Sequence, residues 1–102
     1  MLLTKNKYFN MAQVKEQEIT SLDELLQQPY AVIVWNDNVN SFEFVIDCLM
    51  RYCGHQPEQA EQCAYLIHFG GKCDVKRGNK EKMEKIYHSL IACGLTTTLE
   101  EI

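Results

Sequence analysis

Tyr30-Ala31-Val32-Ile33-Val34-Trp35 runs without a polar residue and follows directly on Pro29. A β-branched and aromatic run of this length, with no alternation, predicts a strand covered on both faces or nearly so. A loop of amides follows, from Asn36 to Asn40. Asn40 then reads as an N-cap with Glu43 in capping-box position. Phe42, Val45, Ile46, Leu49, Met50 and Cys53 recur at helical spacing and stop before Gly54. Pro57 stands at a first helical position, Ala60, Cys63, Ala64 and Ile67 make a second stripe with Leu66 at its margin, and Gly70-Gly71 end it. Residues 72–77 alternate and predict a half-exposed strand. Asn79 caps a third helix carrying Met83, Ile86, Tyr87, Leu90 and Ile91, with Gly94 after its end, and residues 95–102 form a last, Thr-rich strand. The order β-α-α-β-α-β predicts a small single α+β domain, a three-stranded antiparallel sheet packed against three helices.

Residues 1–28 are polar and weakly patterned, so they predict a flexible arm ahead of a core domain at 29–102. Within the arm only Ser21-x-x-Glu24, with Leu22, Leu25 and Leu26, suggests a capped turn, and Met11 is an alternative start. A length of 102 residues suits one domain, and a net charge of −4 argues against a general nucleic-acid binder. No apolar run is long enough to span a bilayer, and the basic residues near Met1 lack a following apolar segment, which points away from membrane and secretion and toward the cytoplasm. The cysteines (Cys48, Cys53, Cys63, Cys73, Cys93) are odd in number, and no pair has C-x-x-C spacing. Free, reduced, mostly buried thiols and no metal site are expected.

The candidate chemistry lies between the first strand and first helix. Asn36, Asp37, Asn38 and Asn40 offer amide and carboxylate acceptors beside an apolar wall, and His68 ends the second stripe. Acceptors next to an apolar pocket, with no obvious nucleophile, suit holding a small cationic group rather than reacting with it. Plainer readings exist: Asn36 and Asp37 as turn residues, His68 as a structural or helix-terminal histidine, and Trp35 as packing. His55 and His88 have no constellation around them. A thiol hydrolase using Cys63 or Cys48 with His68 is the enzymatic rival. Cys63 and His68 are five positions apart, which puts them about 140° apart around a helix, and no oxyanion-forming Gly loop precedes either cysteine. A generic interaction domain without a pocket is the other rival.

Tyr30-Ala-Val-Ile-Val-Trp-Asn-Asp-Asn, Phe42-Glu-Phe-Val-Ile-Asp47, Ile67-His68-Phe69-Gly70-Gly71-Lys72 and Leu95-Thr-Thr-Thr-Leu-Glu-Glu101 resemble the ClpS family. These are bacterial adaptors that present N-end-rule substrates to the Clp protease. The resemblance runs from about Pro29 to the C-terminus almost without gaps. It implies a monomeric, cytoplasmic adaptor without enzymatic activity or cofactor. Asn36, Asp37 and His68 would bind the α-amino group of a substrate's first residue, with Asn38 and Asn40 supporting the loop. Phe42, Val45, Ala64, Ile67 and Leu95 would line a pocket for a bulky first side chain, Leu, Phe, Tyr or Trp. The implied partners are degron-bearing proteins and the N-terminal domain of a Clp AAA+ unfoldase of the ClpA kind, docked near Glu81, Glu84 and Lys85. Asn38 replaces a usual Asp, Asn40 a usual Thr, Phe42 a usual Met or Leu, and Ala64 a Met that narrows the pocket in well-known members. Ile86 does not match a lysine that some members carry, in the 74–85 stretch where the resemblance is weakest.

The chemistry is coherent on its own terms. An α-ammonium titrates near 7.7–8.0 and is largely charged at neutral pH. An Asn carbonyl, a neutral His nitrogen and a nearby carboxylate suit it. One such charged contact contributes roughly 1.5–3 kcal/mol, and one buried Leu or Phe roughly 1.5–3 kcal/mol, against an association cost of about 4–15 kcal/mol. An affinity on the order of micromolar follows. Deprotonation of the amine at high pH and a cationic imidazole at low pH both weaken the contact, so binding should follow a bell in pH.

Overall fold

β1 (Tyr30–Trp35) is the middle strand of the sheet, which is why its interior residues Ala31, Val32, Ile33 and Val34 are all buried. The computed structural model describes residues 29–102; the Ser21-x-x-Glu24 turn lies outside them. β2 (Lys72–Gly78) and β3 (Thr97–Glu101) flank β1, both antiparallel, in the order β2-β1-β3. The α1 (Phe42–Cys53), α2 (Pro57–Gly70) and α3 (Lys80–Ala92) helices complete the order β1-α1-α2-β2-α3-β3. The α+β architecture read from the pattern is the one observed.

The helical stripes turn a little from their expected centres. α1 buries Val45, Cys48, Leu49 and Cys53, with Phe42 and Ile46 half-buried, while Met50 is 38% exposed. The buried face of α1 extends to the Cys48 flank rather than to the Met50 flank that periodicity favoured. α2 buries Ala60, Ala64 and Ile67, and Leu66 faces solvent. α3 buries Met83 and Leu90, leaving Ile91 exposed. Small residues at Ala60 and Ala64 let α2 lie close against its neighbours, and Val32, Val34, Leu49, Ile67 and Leu90 form the centre of one core.

Two caps stand as expected and one does not. Asn79 caps α3, its side chain accepting from Lys82 N, and Pro57 opens α2. The cap of α1 is Ser41, not Asn40: Ser41 Oγ accepts from Phe44 N at 3.1 Å. Asn40 has another task, described below, which commits its side chain. β3 is also shorter than the pattern suggests, because Leu95 N is still bonded to Leu90 O at the end of α3.

The β1–β2 register slips between Val32, opposite Lys76, and Ile33, opposite Asp74, which leaves Val75 as a bulge. The freed Val75 carbonyl accepts from His55 Nε2 at 2.8 Å. His55 is buried, so this bond fastens the α1–α2 connection to the sheet, with the Nε2–H tautomer required by the carbonyl acceptor. His55→Ala strands a buried carbonyl and should cost about 1–3 kcal/mol. Urea unfolding followed by circular dichroism measures it, and an unchanged midpoint refutes the fastening role.

Candidate functional site

The loop between β1 and α1 is pinned from both sides. Trp35 N donates to Thr96 O and Asn36 N to Gly71 O, each at 2.8 Å. Asn40 Nδ2 donates to Gly94 O at 3.0 Å. Gly71 and Gly94 sit at φ of 101° and 103°, a left-handed backbone that other residues adopt only with strain. The ends of α2 and α3 are thereby turned so that their carbonyls meet the loop.

Asp37 organises the loop from within. Its Oδ1 accepts from Val39 N (3.0 Å) and Asn40 N (2.9 Å). Its Oδ2 accepts from Asn40 Nδ2 (2.9 Å) and Thr96 Oγ1 (2.8 Å). The Asn40 N–H foremost, then the Val39 N–H, the Thr96 hydroxyl and the Asn40 amide, lower its pKa to about 2 against the opposing effect of partial burial. A carboxylate has about four lone-pair positions, and here four donors occupy them. Asp37 therefore offers its surroundings a fixed negative charge rather than an idle acceptor.

Above this loop the chain forms a narrow pocket of about 10 Å³, room for roughly one water molecule, so a bulky side chain enters only as the walls give way. Its apolar walls are Phe42 and Val45 of α1, Ala64 and Ile67 of α2, and Leu95. Its polar rim is Asn36, Asp37 and His68. Every residue expected to hold an amine or to line a pocket thus stands on one cavity. Val34, Trp35 and Asn40 join them. Trp35 does two things: its Nε1 donates to Thr98 Oγ1 at 2.9 Å, and its ring forms part of the wall beneath Lys72 Nζ, 4.9 Å from the ring centroid. Asn38 is exposed and off the wall. Glu81, Glu84 and Lys85 lie on α3, also off the wall.

Asn36 and His68 meet at the rim. Asn36 Nδ2 donates to the His68 carbonyl across a long 3.5 Å, which directs the amide so that Oδ1 stays available as an acceptor among the described residues. The His68 ring is exposed and packs edge-on against Phe42 (6.1 Å, 84°) and Phe69 (4.8 Å, 83°). An amide oxygen, an imidazole and a neighbouring carboxylate charge thus face one small opening. The sequence could not give the parts played by Thr96 and Gly94, because they reach the loop from more than fifty positions away; only the Thr run in residues 96–98 hinted at hydroxyls there.

The thiols are arranged otherwise. All five cysteines are free. Burial first, then a hydrogen bond with Cys63, pushes the Cys73 thiol up to about 12. Burial, then Cys93 at 3.2 Å between the sulfurs, raises Cys48 to about 12, and burial raises Cys53 to about 11. Raised so far, the Cys48, Cys53 and Cys73 thiols hold their protons at neutral pH and make poor nucleophiles. Among the described residues no helix is long and apolar enough to cross a membrane.

The family model described as ATP-dependent Clp protease adaptor protein ClpS matches residues 26–95. The chain belongs to the ClpS family. It is an adaptor of a Clp protease and not an enzyme. A ClpS adapter protein of Thermosynechococcus vestitus is 32% identical over 87 residues, covering 84% of this chain and 93% of that protein. One of Rhodococcus jostii is 29% identical over 85 residues, 83% of this chain and 76% of that protein. Among solved structures, Agrobacterium tumefaciens ClpS2 bound to L-phenylalaninamide superposes with a TM-score of 0.66 at 20% identity, covering 74% of this chain and 98% of that one. The α+β fold is common to both.

Proposed function

We propose that this ClpS protein captures polypeptides by their first residue, holding the free α-ammonium at the rim and a bulky hydrophobic side chain in the cavity. The observation that carries the reading is the convergence of the Asn36 carboxamide, the His68 imidazole and the Asp37 charge on the mouth of an apolar cavity. Asn36 Oδ1 and a His68 ring nitrogen accept from the ammonium. Asp37, its acceptor positions filled, contributes charge and fixes the place of Asn36. Phe42, Val45, Ala64, Ile67 and Leu95 surround the side chain. The L-phenylalaninamide bound by the Agrobacterium relative is the smallest molecule with this chemistry, a free α-amine, a benzyl group and a carbonyl in amide form. The captured protein is then delivered to a ClpA-like AAA+ unfoldase in the cytoplasm, with one adaptor chain docking through Glu81, Glu84 and Lys85 of α3.

A peptide series differing only in its first residue tests the reading by fluorescence anisotropy. Leu, Phe, Tyr and Trp should bind at least tenfold more tightly than Gly or Ser, because burying such a side chain contributes roughly 1.5–3 kcal/mol. Equal affinities across the series would leave the cavity without a function.

A further inference from the structure

A second concavity opens beside the first. It has about 280 Å³ of space, is wide to solvent, and is lined by Phe42, Glu43, Tyr65, His68 and Phe69. Tyr65 and Phe69 are 59% and 69% exposed, and they lie four residues apart on the outer face of α2. Their ring centroids are 4.6 Å apart. Phe42 meets Tyr65 edge-on at 6.3 Å, and His68 meets Phe69 edge-on at 4.8 Å. With the Phe42–His68 contact these pairs form a closed circuit of four rings. Two of those rings, Phe42 and His68, also wall the first cavity. The exposed aromatic surface is therefore continuous with the place proposed for the first residue.

We propose that this aromatic shelf is a second subsite, which takes the side chain of the second residue of a bound polypeptide and selects aromatic over acidic groups. The inference rests on the first-residue reading. In an extended chain successive side chains point to opposite sides, and residues advance by about 3.3–3.6 Å. A chain whose first side chain is inside the cavity, with its amine at Asn36 and His68, therefore turns its second side chain outward across the rim. The Phe42 and His68 rings form part of that rim, and Tyr65 and Phe69 lie immediately beyond it. Ring pairs favour edge-on and offset contacts, and this shelf presents both faces and edges. Exposed Glu43 lies along the same concavity and opposes a carboxylate there.

The test holds a free amine and Leu at position one and varies position two among Trp, Gly and Asp. Anisotropy is read for the wild type and for a Tyr65→Ala/Phe69→Ala double variant, and circular dichroism confirms that the variant is folded. Leu-Trp should bind the wild type about three- to tenfold more tightly than Leu-Gly, the size of one aromatic pairing, with Leu-Asp weakest. The Leu-Trp to Leu-Gly ratio should fall to about one in the double variant, as expected when that pairing is removed. Equal binding of Leu-Trp and Leu-Gly by the wild type, or a ratio that survives in the double variant, overturns the shelf. Failure of the first-residue reading looks different: Leu-Gly then binds no better than Gly-Gly.

Discussion

Asp37→Ala should weaken binding of a Leu-starting peptide by about 10- to 100-fold, the scale of one lost hydrogen bond to a charged group, although Asp37 need not touch the peptide. The carboxylate gathers the Val39 and Asn40 N–H groups, the Asn40 amide and the Thr96 hydroxyl. Alanine releases all of them at once. The loop that carries Asn36 then loses its tie to Thr96, and the negative charge beside the ammonium goes too. Asp37→Asn separates the two effects. It keeps one acceptor oxygen and the side chain's shape, so it should fall between wild type and alanine. Titration calorimetry with one peptide and the three proteins gives the order, and equal affinity for wild type and Asp37→Ala would remove Asp37 from the site.

The same carboxylate fixes a sign in pH. Its folded pKa, about 2, lies below the ordinary 3.8. A depressed carboxylate pKa contributes stability that is present above the unfolded value and is lost as pH falls toward the folded one. The window is therefore about pH 4 to pH 2, and the partly solvated setting keeps the effect small. From pH 5 to 9 the Asp37 charge is constant. A fall in peptide affinity within that range therefore does not come from Asp37.

The elements were legible because each rests on local signals. The unbroken apolar run of β1, Pro57 at the start of α2 and the Asn79 cap of α3 all stand where the pattern put them. Asn40 was misread for a reason of the same kind. Asn is as good a cap as Ser by local preference, and nothing nearby reveals that its amide is claimed by Asp37 and by Gly94, which is 54 positions away. Cys48 and Met50 lie about 200° apart on opposite flanks of the α1 stripe, and only the packing of the other helices decides which flank faces inward. The cavity residues were legible through the resemblance to a family rather than through periodicity, which by itself assigns Phe42, Val45, Ile67 and Leu95 to the core. In the structure they serve both roles, since Val45, Ile67 and Leu95 are buried and also form the wall. Tyr65 stands four positions before Phe69, a helical pairing the sequence already offers, but only the fold sets Phe42 beside Tyr65.

Acetylating the amine of a Leu-starting peptide should reduce its affinity by at least about 100-fold, because two charge-assisted contacts of roughly 1.5–3 kcal/mol each are removed together. The acetyl group abolishes the positive charge, leaves a single N–H where three donors stood, and adds bulk at the mouth. A surface that binds only hydrophobic chains behaves in the opposite way, since acetylation makes the peptide end more apolar. The sign of the change therefore divides the two readings without reference to its size. Wild type and Asn36→Ala complete a double cycle. If Asn36 Oδ1 accepts from the ammonium, the variant binds the free peptide poorly, and acetylation costs it much less than it costs the wild type. Raising the pH past the amine's own pKa of about 7.7–8.0 should weaken the free peptide and leave the acetylated one unchanged. Acetylated and free peptides binding within about threefold of one another, a difference below 1 kcal/mol, would mean that the rim of Asn36 and His68 does not recognise an amine.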